Sequence, residues 1–290
     1  MIRPELVSHC ADLLRRVFLI ALLASVAPAT LAFAGPDDVV LPRRGICAHR
    51  GANSTHPENT LPAFREAIRL GAHQIELDVH LLKDGSLAVI HDATVNRTTD
   101  GHGRVADFTA QSIKTLDAGT WKHARFAGTR VPLLSEALAV MPINVWINVH
   151  FKGNDKMAAA VAREVVRQKR THQVILACSQ EAADEAHKID AHIMICNMDR
   201  RKDVRRYVAE TIDRKCRFIQ LKGKLCTPGD MARLKRSGVA INFFRANDTA
   251  KLKKLFAAGV DFPLVDRTAE MINAAKSLGI QPNKPIYRDR

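Results

Sequence analysis

From position 45 onward, the chain alternates between short apolar segments and longer segments in which apolar residues recur every three or four positions. The short segments predict nine β-strands, at 45–49, 74–79, 87–91, 145–151, 173–178, 192–197, 217–221, 239–244 and 261–266. The periodic segments predict amphipathic helices, for example at 61–71, 156–168, 230–238 and 250–259. This alternation is typical of a parallel sheet built from β-α-β units.

One connection between predicted strands is too short to contain a helix. Lys83, Asp84 and Gly85 lie between the second and third strands and are typical of a hairpin turn, which joins only antiparallel strands. Eight strands then remain for the main sheet, and they predict a single (β/α)₈ TIM barrel over residues 35–290, with a small hairpin insertion after the second strand. The alternative, a doubly wound sheet, needs a glycine-rich phosphate loop after the first strand, and residues 51–57 do not show that pattern.

The amino-terminal residues differ from the rest of the chain. Arg15 and Arg16 precede an apolar run at 17–27, which is too short to span a bilayer comfortably, and Ala32 and Ala34 fit a small-x-small cleavage site. This pattern predicts that residues 1–34 are a cleaved signal peptide and that the protein is exported, to a periplasm or out of the cell. An uncleaved membrane anchor is the alternative.

The composition favours anionic partners. The chain has 44 Lys and Arg against 30 Asp and Glu, a formal net charge of +14, so it should attract phosphate esters or an anionic membrane surface. No zinc finger, recognition helix or aromatic-basic platform is evident, which argues against nucleic acid. The densest charge run, residues 199–206, predicts a solvated helix face.

The cysteine positions do not favour a disulfide. Cys216 and Cys226 flank one short strand, which holds them too far apart for a disulfide bond.

Reactive residues cluster at the predicted strand ends, where barrels place their active sites. His49 and Arg50 end the first strand. Glu76 and Asp78 lie two positions apart on the second strand, so their side chains share one face. Neighbouring carboxylates repel each other unless a cation or a proton lies between them, and a hard divalent ion is the simplest solution. A pair of surface carboxylates on an edge strand is the alternative.

Two further strand ends carry polar residues. His91 ends the returning hairpin strand and is predicted to lie over the same barrel mouth as Glu76. Asn148, His150 and Lys152 share one face of the fourth strand. A single histidine is more often structural than catalytic, but two histidines on converging strand ends beside a carboxylate pair indicate a reactive site.

These motifs, taken in order, resemble those of one enzyme family. The segments AHRG, PENT, ELDV, KDG, VIHD, RTTDG and LDAGTW cover residues 45–121 densely, and NVHFK, FFRAND and AAGVDFPLVDR follow later in the chain. The series resembles the glycerophosphodiester phosphodiesterase family, whose members have a barrel of the kind predicted. The ordered set is specific, whereas any one motif alone would be weak.

The resemblance implies a role for each matching position. It implies that His49 and His91 are a general acid/base pair, that Arg50 and Lys152 are phosphate ligands, and that Glu76 and Asp78 are metal ligands. It also implies that Glu58 reaches the metal or braces the loop, and that Trp121 and Phe244 belong to the pocket wall. It also implies one divalent ion, calcium or magnesium.

Two positions depart from the family pattern. His150 stands where the family usually has glutamate in E-x-K, and Phe244 begins FRAN in place of WTVN. As a third ligand His150 would supply nitrogen, which would make manganese or zinc suitable ions. Alternatively, His150 hydrogen-bonds the phosphate or a metal-bound water, and Glu58 completes the metal site.

The resemblance implies an exported, metal-dependent phosphodiesterase that splits glycerophosphodiesters into glycerol 3-phosphate and an alcohol. In the family a neighbouring glycerol hydroxyl is thought to attack first, so no serine or cysteine nucleophile is needed. Two alternatives remain: a phospholipase D-like or cyclising lyase that acts on lysolipid or sphingolipid headgroups, and a non-catalytic phosphodiester-binding protein. The sequence predicts neither the headgroup nor the oligomeric state.

Overall fold

The computed structural model describes residues 39–152 and 155–288. The predicted signal peptide at 1–34 lies outside the described residues, so its cleavage and the domain boundary at residue 35 stay predictions. Within the described ranges, no helix is both long enough and apolar enough to cross a membrane.

The described residues contain nine strands, and eight of them close a parallel barrel. The strands are β1 (Cys47–Ala48), β2 (Gln74–Leu81), β3 (Leu87–Val89), β4 (Trp146–Phe151), β5 (Val174–Cys178), β6 (Met194–Asn197), β7 (Phe218–Lys222), β8 (Ala240–Phe244) and β9 (Phe262–Val265). Neighbours pair in the order β1-β9-β8-β7-β6-β5-β4-β2, and β1 pairs with β2 to complete the ring. β3 lies outside the ring and pairs antiparallel with β2. The predicted TIM barrel and hairpin insertion are confirmed.

Helices cover the outside of the barrel. They are α1 (Leu61–Leu70), α2 (Ala110–Ile113), α3 (Leu134–Val140), α4 (Ala158–Arg167), α5 (Gln180–His187), α6 (Val204–Asp213), α7 (Pro228–Arg236), α8 (Thr249–Ala257) and α9 (Thr268–Ser277). α1 shows how the sequence sets their ends. The Thr60 side chain accepts a hydrogen bond from the Ala63 amide at its start, and Gly71 adopts φ 86° just beyond its end. This cap also fixes the end of the loop that carries Glu58.

The side chains of each strand separate into an inner and an outer set. On β2, Ile75, Leu77 and Val79 pack in the apolar layer shared with the helices, whereas Glu76 and Asp78 alternate with them and take the other face. The amino-terminal end of the barrel is filled by aromatic rings: Trp146 meets Phe218 edge-on at 5.2 Å, and Phe218 lies 6.1 Å from Phe262. Because these apolar rings fill the amino-terminal end of the barrel, its polar groups are left at the carboxyl-terminal end.

The segment between β3 and β4 forms a small layer of its own beside the hairpin. It contains α2 and two 3₁₀ turns, Val105–Asp107 and Ala124–Phe126. Its apolar residues cluster separately from the barrel core; they include Ile90, Val95, Val105, Ile113 and Val131. This layer supports the hairpin strand that leads to His91. Elsewhere, the five described cysteines are buried, and no disulfide joins any two of them.

Candidate active site at the carboxyl end of the barrel

A cavity of about 240 Å³ opens at the carboxyl-terminal ends of the strands. Seven of the residues predicted from the sequence line it: His49, Arg50, Glu76, His91, His150, Lys152 and Phe244. Asp78 lies fully buried in the wall beside them. The prediction that Trp121 belongs to the pocket wall is not met, because Trp121 is not among the residues that line this cavity. Its indole donates a hydrogen bond to the Ala118 carbonyl within its own loop, and the side chain is exposed.

The Glu76 and Asp78 carboxylates each use one oxygen for a neutral donor of the surrounding loop. Glu76 Oε2 accepts a hydrogen bond from the Arg50 backbone N–H at 3.0 Å, and Asp78 Oδ2 accepts one from Asn59 Nδ2 at 2.8 Å. The two remaining oxygens both approach the His150 ring. His150 Nδ1 lies 3.6 Å from Glu76 Oε1 and 3.4 Å from Asp78 Oδ1.

This arrangement fits a divalent cation. Asp78 Oδ1 is buried and makes no hydrogen bond, and one ligand atom from each of Glu76, Asp78 and His150 lies within 4.8 Å of the other two. Two carboxylate oxygens and one imidazole nitrogen form a donor set that manganese and zinc accept. Glu58 is not part of this cluster. Its carboxylate is held by Arg50 and Arg97, so it braces the loop, which was one of the two roles predicted for it.

The charges of the cluster depend on one another. Burial alone would raise the pKa of Asp78, but the His150 ring and the Lys152 ammonium outweigh it and hold that pKa far below its usual range. Burial alone would lower the pKa of His150, but the neighbouring Asp78 and Glu76 carboxylates raise it. The Asp78 carboxylate therefore remains ionised, as a carboxylate that binds a metal ion must be.

The two predicted phosphate ligands stand beside these carboxylates. Arg50 places Nη1 2.8 Å from Glu58 Oε1 and Nε 3.3 Å from Asp78 Oδ2. Lys152 Nζ lies 3.2 Å from Asp78 Oδ1. Arg50 adopts a left-handed backbone conformation, φ 56°, which is uncommon for a residue with a side chain and is held here by its backbone hydrogen bond to Glu76. Both cations are thus fixed in the cavity wall by the acidic groups.

His49 is oriented by a carboxylate from the opposite end of the chain. Its Nδ1 lies 2.7 Å from Asp266 Oδ1, and Asp266 also accepts hydrogen bonds from Asn53 and Asn247. Burial would raise the pKa of Asp266, but the donors around it, His49 first among them, hold that pKa well below its usual range. Because Nδ1 bonds a carboxylate, it carries a proton, and Nε2 is left to exchange protons in the cavity.

His91 repeats this arrangement from the other side. Its Nδ1 lies 2.7 Å from Asp92 Oδ1, and Arg97 binds both oxygens of Asp92. Hydrogen bonds from Arg97, and then from His91, hold the pKa of Asp92 well below its usual range against the effect of burial. Arg97 also binds both oxygens of Glu58, which in turn holds Arg50. A chain of ion pairs therefore links this histidine to Arg50 on the other side of the cavity.

We expect Asp266→Asn to lower kcat by up to about 10⁴-fold with little change in KM, because the amide can donate a hydrogen bond to Nδ1 and so hold His49 in the opposite tautomer. Steady-state kinetics across pH would show this, with the limb due to His49 displaced. Asp213→Asn, which removes an exposed acid at the end of α6, is the matched control. An unchanged pH profile and kcat in the Asp266 variant would mean that Asp266 does not position His49.

The sequence reasoning missed several residues that contact the predicted site. Asp266 is the penultimate residue of AAGVDFPLVDR and Arg97 is the first residue of RTTDG, but the sequence analysis assigned no role to either. Asn53 lies in the loop after the first strand and carried no signal of its own. Arg200 and Lys222 also line the cavity, and no motif marked either of them.

Comparison with known proteins agrees with the site. The model of the "Glycerophosphoryl diester phosphodiesterase family" matches residues 49–270. A glycerophosphodiester phosphodiesterase of Bacillus altitudinis is 33% identical over 225 residues, which cover 74% of this chain and 91% of that protein. One from Caldanaerobacter subterraneus is 44% identical over 123 residues, 42% of this chain and about half, 51%, of that protein.

Among solved structures, the crystal structure of glycerophosphodiester phosphodiesterase from Agrobacterium tumefaciens is similar to this chain with a TM-score of 0.68 and 29% sequence identity. The superposition covers 80% of this chain and 99% of the Agrobacterium chain. The matched range contains both histidines, the carboxylate pair and Asp266. The chain belongs to the glycerophosphoryl diester phosphodiesterase family.

Proposed function

We propose that this protein hydrolyses glycerophosphodiesters to glycerol 3-phosphate and an alcohol. The observation that carries the proposal is the pair of histidines in one cavity, each bound through Nδ1 to its own aspartate at 2.7 Å. A site that only bound a phosphodiester would not need two oriented proton-transfer groups. Family membership supports the same reaction.

The cavity would hold the phosphodiester between fixed charges. Arg50 offers a planar fork and Lys152 a point charge to the phosphate oxygens. Glu76, Asp78 and His150 would hold a divalent ion, which when bound neutralises phosphate charge and polarises the phosphoryl group. Because these groups are already ion-paired in place, they need little reorganisation as charge develops on the phosphate.

The two histidines would divide the proton transfers. One imidazole takes the proton of the attacking glycerol hydroxyl as that oxygen bonds to phosphorus, and the other gives a proton to the alcohol oxygen as its bond to phosphorus breaks. The roles then reverse, and water opens the cyclic phosphate to glycerol 3-phosphate. Asp266 and Asp92 keep each ring in one tautomer and stabilise its protonated form.

The lining of the cavity favours a small polar substrate over a lysolipid. Phe244 and Leu264 are the apolar side chains among the described residues that line it, and the other lining residues are polar or charged. To test this, the protein should be incubated with glycerophosphocholine and with lysophosphatidylcholine, with and without chelator, and the products identified by mass spectrometry. Glycerol 3-phosphate from the first compound supports the proposal; a cyclic lysolipid product alone would indicate the lyase, and no turnover a binding protein.

We further propose that His150 is a metal ligand and makes the site more tolerant of manganese and zinc than of calcium, because calcium prefers oxygen donors. We expect His150→Glu to shift the ranking toward calcium and magnesium by about 10-fold or more in relative affinity. Titration calorimetry with each ion measures this apart from activity, and His192→Glu, at a histidine side chain 90% exposed, is the control. Identical rankings in wild type and His150→Glu would exclude ligation by His150.

Export is also part of the proposal, and it rests on the sequence of residues 1–34. Mass spectrometry of the mature protein should find Gly35 at the amino terminus, and an intact amino terminus in the cytoplasm would refute it.

Contact with an anionic membrane surface is proposed from the net charge of +14. Vesicle co-sedimentation would test that contact, and equal binding to neutral and anionic vesicles would contradict it.

A further inference from the structure

Two cations line the cavity on the wall that faces the carboxylate cluster. Arg200 follows β6, and Lys222 is the last residue of β7. In the ring of eight strands, β7 lies diametrically across from β2, which carries Glu76 and Asp78. A phosphodiester bound at the carboxylate cluster would therefore extend one of its two arms toward Arg200 and Lys222.

Arg200 lacks an acidic partner because the nearby acids are engaged elsewhere. Asp199 accepts hydrogen bonds from Arg214 at 2.6 Å and from the Gln180 amide at 2.9 Å, and Glu210 holds Arg201 and Arg206. Among the described residues, no carboxylate lies within 4.0 Å of the Arg200 guanidinium, whose Nη2 donates a hydrogen bond to the Met198 sulfur at 3.7 Å. The charge run at 199–206 is thus not uniformly a solvated helix face, because Arg200 precedes α6 and reaches the cavity.

Lys222 also lacks an acidic partner among the described residues, and it lies close to His49. Its Nζ is 5.7 Å from the centre of the Phe244 ring, and that ring contacts the His49 imidazole edge-on at 5.2 Å. In the parts of the chain that the structure describes, no carboxylate lies within 4.0 Å of Lys222. By contrast, Arg50 and Lys152 are both ion-paired with Asp78.

The balance of charge in the cavity exceeds what one phosphodiester needs. Arg50 and Lys152 already face the carboxylates, and a bound divalent ion would add further positive charge to that side. The single negative charge of a phosphodiester would be satisfied there. Arg200 and Lys222 would then remain as uncompensated charges on the facing wall, in a concave site where fields are strengthened by the protein around it.

We infer that these two residues form a second anion subsite, and that the preferred substrates are glycerophosphodiesters whose alcohol carries a further phosphate. This inference rests on the proposed function. The glycerol moiety bears only hydroxyls, so the second anionic group must belong to the alcohol. An arginine fork and a lysine ammonium are the groups that proteins use most for a phosphate monoester.

The test compares three substrates: glycerophosphoglycerol, the same molecule with a terminal phosphate, and glycerophosphocholine, whose alcohol is cationic. For the wild type we expect kcat/KM to be about 10-fold higher for the phosphorylated compound than for glycerophosphoglycerol, and lowest for glycerophosphocholine. Arg200→Gln and Lys222→Gln should each reduce the first ratio about 3-fold, and the double variant should bring it close to one. Lys253→Gln removes an exposed charge from α8 and should leave the ratio unchanged.

The possible outcomes separate this inference from the function beneath it. If glycerophosphoglycerol is cleaved but the terminal phosphate brings no preference, or the double variant keeps the preference, the subsite is refuted and the proposed function stands. If Lys253→Gln lowers the ratio as much as the other variants, overall charge accounts for the preference and the subsite is again refuted. If none of the three compounds is cleaved, the proposed function fails and the subsite inference falls with it.

Discussion

Replacing His49 or His91 by alanine is expected to lower kcat by about 10²–10⁴, the usual contribution of a positioned proton-transfer group. Each imidazole lines the cavity and is held in one orientation by an aspartate bonded to its Nδ1. A neighbouring group is therefore not positioned to take over its proton transfer. The wild-type pH profile of kcat/KM should be bell-shaped, and each variant should lose one limb. Steady-state kinetics on glycerophosphocholine would measure both effects.

The histidine prediction needs a control for general effects of losing an imidazole. His192→Ala serves for this, because that side chain is 90% exposed and pairs with Asp190 in its own loop, away from the cavity lining. Circular dichroism should show that all three variants retain the fold. If His91→Ala keeps a near-full rate, the hairpin strand does not deliver a catalytic group to the cavity, and the mechanism must be assigned to His49 alone.

Glu76→Gln and Asp78→Asn should each abolish metal-dependent turnover while the barrel remains folded. Each change removes one of the two ionised oxygens that face His150, and a neutral amide is a much weaker ligand for a divalent ion. Asp78→Asn carries a second effect, because Arg50 and Lys152 both lose their buried partner. Its phosphate affinity and its stability should therefore change more than those of Glu76→Gln.

Metal content and activity should be measured together for these variants. Titration calorimetry with manganese should show binding to the wild type and little or none to either variant, and chelator should remove wild-type activity. Glu185→Gln, at an exposed acid of α5, controls for the loss of one negative charge. Full metal loading with normal turnover in either variant would refute the metal site.

The barrel could be predicted because the sequence patterns that indicate it each depend on neighbouring residues. These patterns are the apolar runs of strand length, the helical periodicity between them and the short turn at Lys83, Asp84 and Gly85. The strand limits were less accurate: β1 spans Cys47–Ala48 rather than 45–49, although Gly45 and His49 on either side still donate backbone hydrogen bonds to Asp261 and Val265. Hydrogen-bond pairing is a property of the assembled sheet, and one strand alone does not reveal it.

The site was predictable only as far as its residues lie in short motifs. Glu76, Asp78 and the two histidines stand at strand ends, and the barrel brings strand ends together. The contact between His49 and Asp266 joins residues 217 positions apart, so only the closed barrel shows it. Arg200 was interpreted from its neighbours as solvent-facing, because a charge run does not indicate which of its members lines a cavity. Trp121 was placed on the wall by resemblance, but its loop directs it elsewhere.

The central claim is that this cavity hydrolyses a glycerophosphodiester with the help of a divalent ion. The most direct measurement is a ³¹P NMR time course of glycerophosphocholine with the purified protein, first in chelator and then after manganese is added. We expect the diester signal to persist in chelator and to be replaced after the addition by the phosphomonoester signal of glycerol 3-phosphate. A diester signal that stays unchanged with manganese, zinc, magnesium and calcium alike would contradict the account.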